Sequence, residues 1–202
     1  MPARARLAAL LVLVVAGAAC TRAHAPAQTD AAVPQGVPAA ELRPAADAPA
    51  ILAAARALME RDGVVALATV DAGGQPRVRS VRAFLDPVDP ARPASGFTVW
   101  ILTRHTTRKV EQVRRHPQVT LYFNDDAGDS YASIMGTATV HTDPDHPAAK
   151  RHYDDELVKF FWPDFPRDFV MIEVRPRWLE FIGPAAENDD RTWRPQAVVF
   201  DE

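Results

Sequence analysis

The sequence predicts a mainly β protein, a small β-barrel with helices packed against its outside. Three observations carry this. Short segments of alternating apolar and polar residues recur at even spacing through the middle of the chain, as half-buried strands do. Turn-forming residues separate them, most plainly Asp71-Ala72-Gly73-Gly74. One helical stretch falls between the third and fourth strands. The βαβ alternation of a parallel nucleotide-binding sheet is missing, and no G-x-G-x-x-G or G-x-x-x-x-G-K-[ST] loop occurs.

The chain has 202 residues, 48% of them apolar, and a formal charge of −3. Residues 1–19 read as a signal peptide: Arg4 and Arg6 precede an apolar run over 7–19 that is too short to span a membrane. The run ends in Ala16-Gly17-Ala18-Ala19-Cys20, which resembles the lipobox of bacterial lipoproteins and implies lipidation of Cys20, the only cysteine. The alternative is a plain secretory signal cleaved near Ala19 or Ala25. The expected location is the bacterial cell envelope, lipid-anchored and facing the periplasm. Removing 1–19 takes away two arginines and no acids, so the mature charge falls to −5, which speaks against a nucleic-acid partner. Residues 20–48, rich in Ala and Pro, cannot bury enough apolar surface to order themselves and read as a tether.

The folded domain is expected over 49–184. Ile51, Leu52, Ala55, Leu58 and Met59 fall at helical spacing over 49–61, and Asp62-Gly63 ends that helix. A strand at 64–70, the hairpin turn and a second strand at 76–85 follow. A loop with three prolines leads to a third strand at 97–103. Next comes a basic helix that Thr106 or Thr107 can cap, stopped by His116-Pro117. The fourth strand occupies 119–124 and the fifth 130–141, with Gly136 as a bulge or a point of close approach. A helix is expected from Asp143-Pro144 to about Phe161, then two strands at 169–174 and 178–182 joined through Arg175-Pro176-Arg177. In the tail, 185–202, only 197–200 could add an edge strand.

The basic helix carries the chemistry. Arg108 and Lys109 stand in its first turn, where cations oppose the helix dipole and free backbone N–H groups point outward. An anion such as a phosphate would use all of these donors together; a solvated basic face is the alternative.

Gly74-Gln75-Pro76-Arg77-Val78-Arg79-Ser80-Val81, Trp100-Ile101-Leu102-Thr103, Thr107-Arg108-Lys109, His116-Pro117-Gln118-Val119 and Gly136-Thr137-Ala138 follow in order. Together they resemble the pyridoxamine 5′-phosphate oxidase-like FMN-binding split barrels, in particular the general stress protein 26 branch. The resemblance implies a homodimer with FMN at its interface. Arg79, Ser80 and Val81 match the strand that runs along the flavin. Leu102 and Thr103 match the end of the third strand, which lines the flavin site. Thr107, Arg108 and Lys109 match the segment that holds the phosphate. Tyr131 stands where pyridoxamine oxidases of the family have a glutamine reaching the flavin, a departure. The Arg-Leu-His segment with which those oxidases grip substrate has no counterpart in Arg175-Pro176-Arg177-Trp178-Leu179-Glu180, so pyridoxamine phosphate oxidation is not implied. The implied function is an FMN-dependent oxidoreductase of unassigned substrate; the alternative is a non-catalytic split barrel for haem or the deazaflavin F420.

No metal site is expected. His141-Thr142-Asp143-Pro144-Asp145-His146 has no second cluster and reads as a strand end and helix cap. Asp125, Asp126 and Asp129 lack EF-hand spacing and read as turn residues. Trp162, Trp178 and Trp193 read as packing residues.

Overall fold

The computed structural model describes residues 43–61, 63–125, 130–153, 155–183 and 195–200. The proposed signal peptide, Cys20 and nearly all of the tether lie outside the described residues. So do Asp126 and Asp129 of the expected turn, and Trp193.

In chain order the elements are β1 (Arg43–Pro44), α1 (Ala48–Arg61), β2 (Val64–Val70), β3 (Pro76–Arg82), β4 (Phe84–Leu85) and β5 (Val99–Arg104). They continue with α2 (Arg108–Arg115), β6 (Gln118–Asn124), β7 (Tyr131–His141), α3 (Pro147–His152), α4 (Asp155–Phe161), β8 (Phe169–Ile182) and β9 (Gln196–Val199). The strands form one curled sheet along the path β1-β9-β8-β7-β6-β2-β3, antiparallel except where β1 joins β9. The first half of β8 also pairs with β5, and its second half with β9. Strands β3 and β5 touch without forming a ladder among the described residues, and this seam splits the barrel.

The hairpin forms where its turn residues require it. Gly74 has φ +80°, a conformation open to glycine, and the Asp71 carboxylate accepts from the amides of Gly73 (2.9 Å) and Gln75 (3.0 Å). Alternation then sets the two faces. Inward go Val65, Leu67, Leu121, Ile134, Ile172 and Leu179, which pack with Ile51 and Leu58 of α1 and Val110 and Val113 of α2. Burying each such Leu or Ile contributes roughly 1.5–3 kcal/mol. On the outer face Trp100, Phe169 and Met171 are covered by Ala148 and Ala149 of α3 and by Trp162. The rest of that face is bare: Val64, Val78, Tyr122 and Val199 are all exposed, Val78 to 68%.

Four expectations change. The strand expected over 76–85 breaks at Ala83, because Phe84 and Leu85 leave β2 to pair with Trp100 and Val99. The helix expected to Phe161 is two helices: Tyr153 is extended, its hydroxyl donating to the Pro144 carbonyl (3.2 Å) and its ring edge-on to Phe165 and Phe169. His146, rather than Asp143, caps α3, accepting from the Ala148 amide at 3.1 Å. The two strands expected after it are one, because Pro176 sits opposite Gly136 at a bulge where no ladder donor is needed. At the sheet's margin, β1 and β9 lie on either side of the expected 49–184 boundaries, and Phe200 packs in the inner core.

Candidate functional site

Helix α2 lies across the barrel mouth because Val110 and Val113, three apart, point inward. Its first turn therefore arrives at the seam between β3 and β5. Three inward positions meet it there: Thr69 on β2, Arg79 on β3 and Thr103 on β5.

Arg79 is half-buried and held from two sides. Its Nη2 donates to Gln112 Oε1 at 2.8 Å and its Nη1 to Thr69 Oγ1, while Thr69 Oγ1 donates to the same Gln112 oxygen at 2.7 Å. Thr69 and Gln112 are buried. The guanidinium is thus aimed by neutral groups, and no carboxylate among the described residues pairs with it. Burial first, then the charges of Arg108 and Arg77, holds Arg79 below the ordinary arginine range. Burial first, then Arg79, holds Lys109 below the ordinary lysine range. The nearby acids are engaged elsewhere: Asp71 pairs with Arg77 and Glu111 with Arg115, each at 2.7 Å. Gathering like charges in a partly desolvated site opposes folding unless an anion joins them.

Thr103 and Thr107 extend the cluster, their hydroxyls 3.4 Å apart. Thr107 occupies the N-cap position, but its side chain makes no cap bond; its hydroxyl donates to the Arg104 carbonyl (2.9 Å). The first-turn amides of α2 are therefore not taken up by that side chain, which corrects the capping expectation and suits an external acceptor. Beside the cluster a cleft of about 430 Å³ runs between the hairpin turn and α2, lined by Asp71, Arg77, Arg108, Gln112 and Arg115 among others.

The structure brings together Arg79, Thr103, Thr107, Arg108 and Lys109. Ser80 and Leu102 lie across the seam on the outer face, Ser80 exposed and Leu102 half-buried against the outer core. Val81 is a core residue, and only its backbone could face a ligand. Tyr131 stands apart. It pairs with Asn124 at the far end of β6 and stacks on Tyr122 with ring centroids 5.3 Å apart. Burial, then Glu180 and Tyr122, raises its phenol above the usual range. Sequence reasoning missed Thr69 and Gln112, the residues that aim Arg79. No group of three metal-ligating side chains occurs among the described residues. His141 ends β7 and binds Glu173 Oε2 at 2.9 Å.

Comparison with known proteins places this geometry. The pyridoxamine 5′-phosphate oxidase family profile matches residues 51–183. No curated protein matches the chain. Among solved structures, general stress protein 26 from Bacillus anthracis is similar at 15% identity, with a TM-score of 0.55 over 74% of this chain and 98% of that one. A Clostridium acetobutylicum protein related to general stress protein 26 is similar at 19% identity, with a TM-score of 0.53 over 75% and 94%. A haem-binding protein from Mycobacterium smegmatis is similar at 16% identity, with a TM-score of 0.55 over 76% and 58%. At these identities the structures share the fold, a half-open antiparallel barrel. The profile covers well over half of the sequence, and it spans the hairpin, the seam and the helix that together build the cationic mouth: the chain belongs to the pyridoxamine 5′-phosphate oxidase family.

Proposed function

We propose that the protein binds FMN at the β3–β5 seam and acts as a flavin-dependent oxidoreductase. One observation carries this reading: Arg79, Arg108 and half-buried Lys109 converge on the first turn of α2, with no carboxylate among the described residues to neutralise them. A phosphate of charge near −2 supplies what that arrangement lacks. Arg79, Lys109, Thr107 and the α2 amides would hold the phosphate, and Thr103, Leu102 and Ser80 would border the ring. Hydride or electron transfer is the chemistry that the flavin would supply. Purified protein comprising residues 21–202, titrated with FMN, should show a perturbed flavin spectrum and saturable binding; a spectrum identical to free FMN throughout would refute the reading. Haem and F420 titrated in parallel test the alternative ligands.

A homodimer through the bare outer face belongs to the same proposal. Val64, Val78, Tyr122, Tyr131, Met135, Trp178 and Val199 share that face by strand register. The Trp178 indole nitrogen is buried without a partner. A self-complementary contact would cover these groups. Val78→Asp should shift sedimentation towards the monomer; an unchanged dimer, or a wild-type monomer at all concentrations, would count against it.

Export and anchoring through Cys20 complete the proposal, on the strength of the leader pattern. Alkyne-palmitate labelling in a bacterial host should mark the wild type and not Cys20→Ser. Equal labelling of both would reject the anchor.

A further inference from the structure

The end of α4 and the residue after it place Phe160, Phe161 and Trp162 beside this site. Phe160 is 77% exposed and Phe161 47%, their rings edge to face with centroids 4.8 Å apart. The segment is fixed to the strand that ends at the seam. Trp162 Nε1 donates to the Thr103 carbonyl at 3.0 Å, in the interior, and Arg104 Nε donates to the Phe161 carbonyl. Trp162 also stands edge-on to Phe169 at 5.4 Å and packs in the cluster that Leu102 joins. Two solvated rings are thus bolted within one or two residues of Leu102 and Thr103.

Rigid aromatic surface held open at the rim of a cationic site fits a ligand that is both flat and anionic. Arg104 and His105 are exposed next to it, and Arg104 spends only Nε on the Phe161 carbonyl. The other flanking cations are balanced: Lys159 pairs with Glu156 at 3.0 Å and Arg167 with Asp164 at 3.3 Å. The patch therefore lacks the surplus of positive charge that an anionic membrane surface would attract.

We infer that Phe160 and Phe161 form the wall of a substrate subsite that accepts a planar, conjugated ring carrying an anionic group, with Arg104 beside it as the anion's partner. The inference rests on the flavin reading and adds a substrate class to it.

Naphthalene-1-sulfonate, followed by its own fluorescence, and FMN are titrated separately into the wild type, Phe160→Ser and the Phe160→Ser/Phe161→Ser double variant. Hexane-1-sulfonate serves as the aliphatic control. The wild type should bind the naphthalene probe and not the control. The double variant should bind it about tenfold more weakly, and Phe160→Ser should fall between. FMN affinity should stay within about twofold. Because Phe160 is so exposed, the single variant tests the wall even if the double variant melts early.

Equal probe binding by wild type and Phe160→Ser would overturn the inference, as would equal binding of the aliphatic sulfonate. A matching loss of FMN affinity would make the rings a cofactor wall instead. If the variants lost sedimentation with phosphatidylethanolamine–phosphatidylglycerol vesicles but kept the probe, the patch would be a membrane contact. Absence of FMN binding with the probe still held would sink the flavin reading alone.

Discussion

Arg79→Ala is expected to weaken FMN binding by about 1.5–3 kcal/mol, the range for losing a charge-assisted hydrogen bond in a partly buried site. The change removes the charge without dismantling its support, because Thr69 still donates to Gln112 at 2.7 Å. Riboflavin, which lacks the phosphate, should lose far less; equal losses for both ligands would remove Arg79 from the phosphate site. Lys109→Met should weaken FMN to a similar extent and yet stabilise the ligand-free protein by roughly 0.5–1 kcal/mol, since the site then holds one fewer desolvated cation. That opposition between affinity and stability separates a binding site from a solvated basic face, where the same change would leave both nearly untouched.

The pH dependence follows from the sign of the shift. Lys109 sits below the ordinary lysine range through burial and Arg79. The unfolded chain therefore holds this proton to higher pH than the folded one, and ligand-free stability gains from Lys109 as pH rises between the folded and ordinary values. FMN needs the protonated form, so affinity should fall through the same window and level off above the raised value in the complex. At the acid end it should fall again as the phosphate takes up a proton near pH ~6. Lys109→Met should flatten the alkaline limb and leave the acid one.

The cations of this site were legible because a helix opening on Arg108 and Lys109 contradicts its own dipole, and contradictions in a short stretch are visible without a fold. The groups that aim Arg79 were not. Thr69 reads as an ordinary β-branched strand residue and Gln112 as one more polar helix position. Only the register that sets Thr69 opposite Arg77, one rung from Arg79, makes them partners. The same distinction runs through the fold. Strands and hairpin follow from local alternation and from Asp71-Ala72-Gly73-Gly74. The break at Tyr153 depends instead on contacts with Pro144, Phe165 and Phe169, because no Gly or Pro near it announces a stop. The continuity of β8 is non-local too. Pro176 ends a strand when read alone, and becomes acceptable only opposite a bulge on β7.

That bulge is where a single methyl group should do most damage. A Cβ on Gly136 would stand 2.4 Å from the Arg175 carbonyl oxygen, 3.0 Å from Val174 Cγ1 and 3.1 Å from the Arg175 carbonyl carbon. The obstacle is backbone, in a strand paired on both sides, so it cannot swing away as a flexible side chain would. Gly136→Ala must either part β7 from β8 or shift the register at Met135, and every rung beyond pairs inner-core residues such as Ile134 with Leu179. A cost of about 2–4 kcal/mol is expected, a large share of the 5–15 kcal/mol that holds a typical domain together. Urea unfolding of Gly136→Ala against Gly63→Ala supplies the control, since a Cβ at Gly63 meets nothing within 4 Å. Gly63→Ala should stay within about 0.5 kcal/mol of the wild type. If the two variants unfold at the same midpoint, the close approach of β7 and β8 is not what requires glycine at position 136. If only Gly136→Ala falls and FMN affinity falls with it, the barrel's central ladder and its cationic mouth are one cooperative unit, as expected of a helix seated on that same inner core through Val110 and Val113.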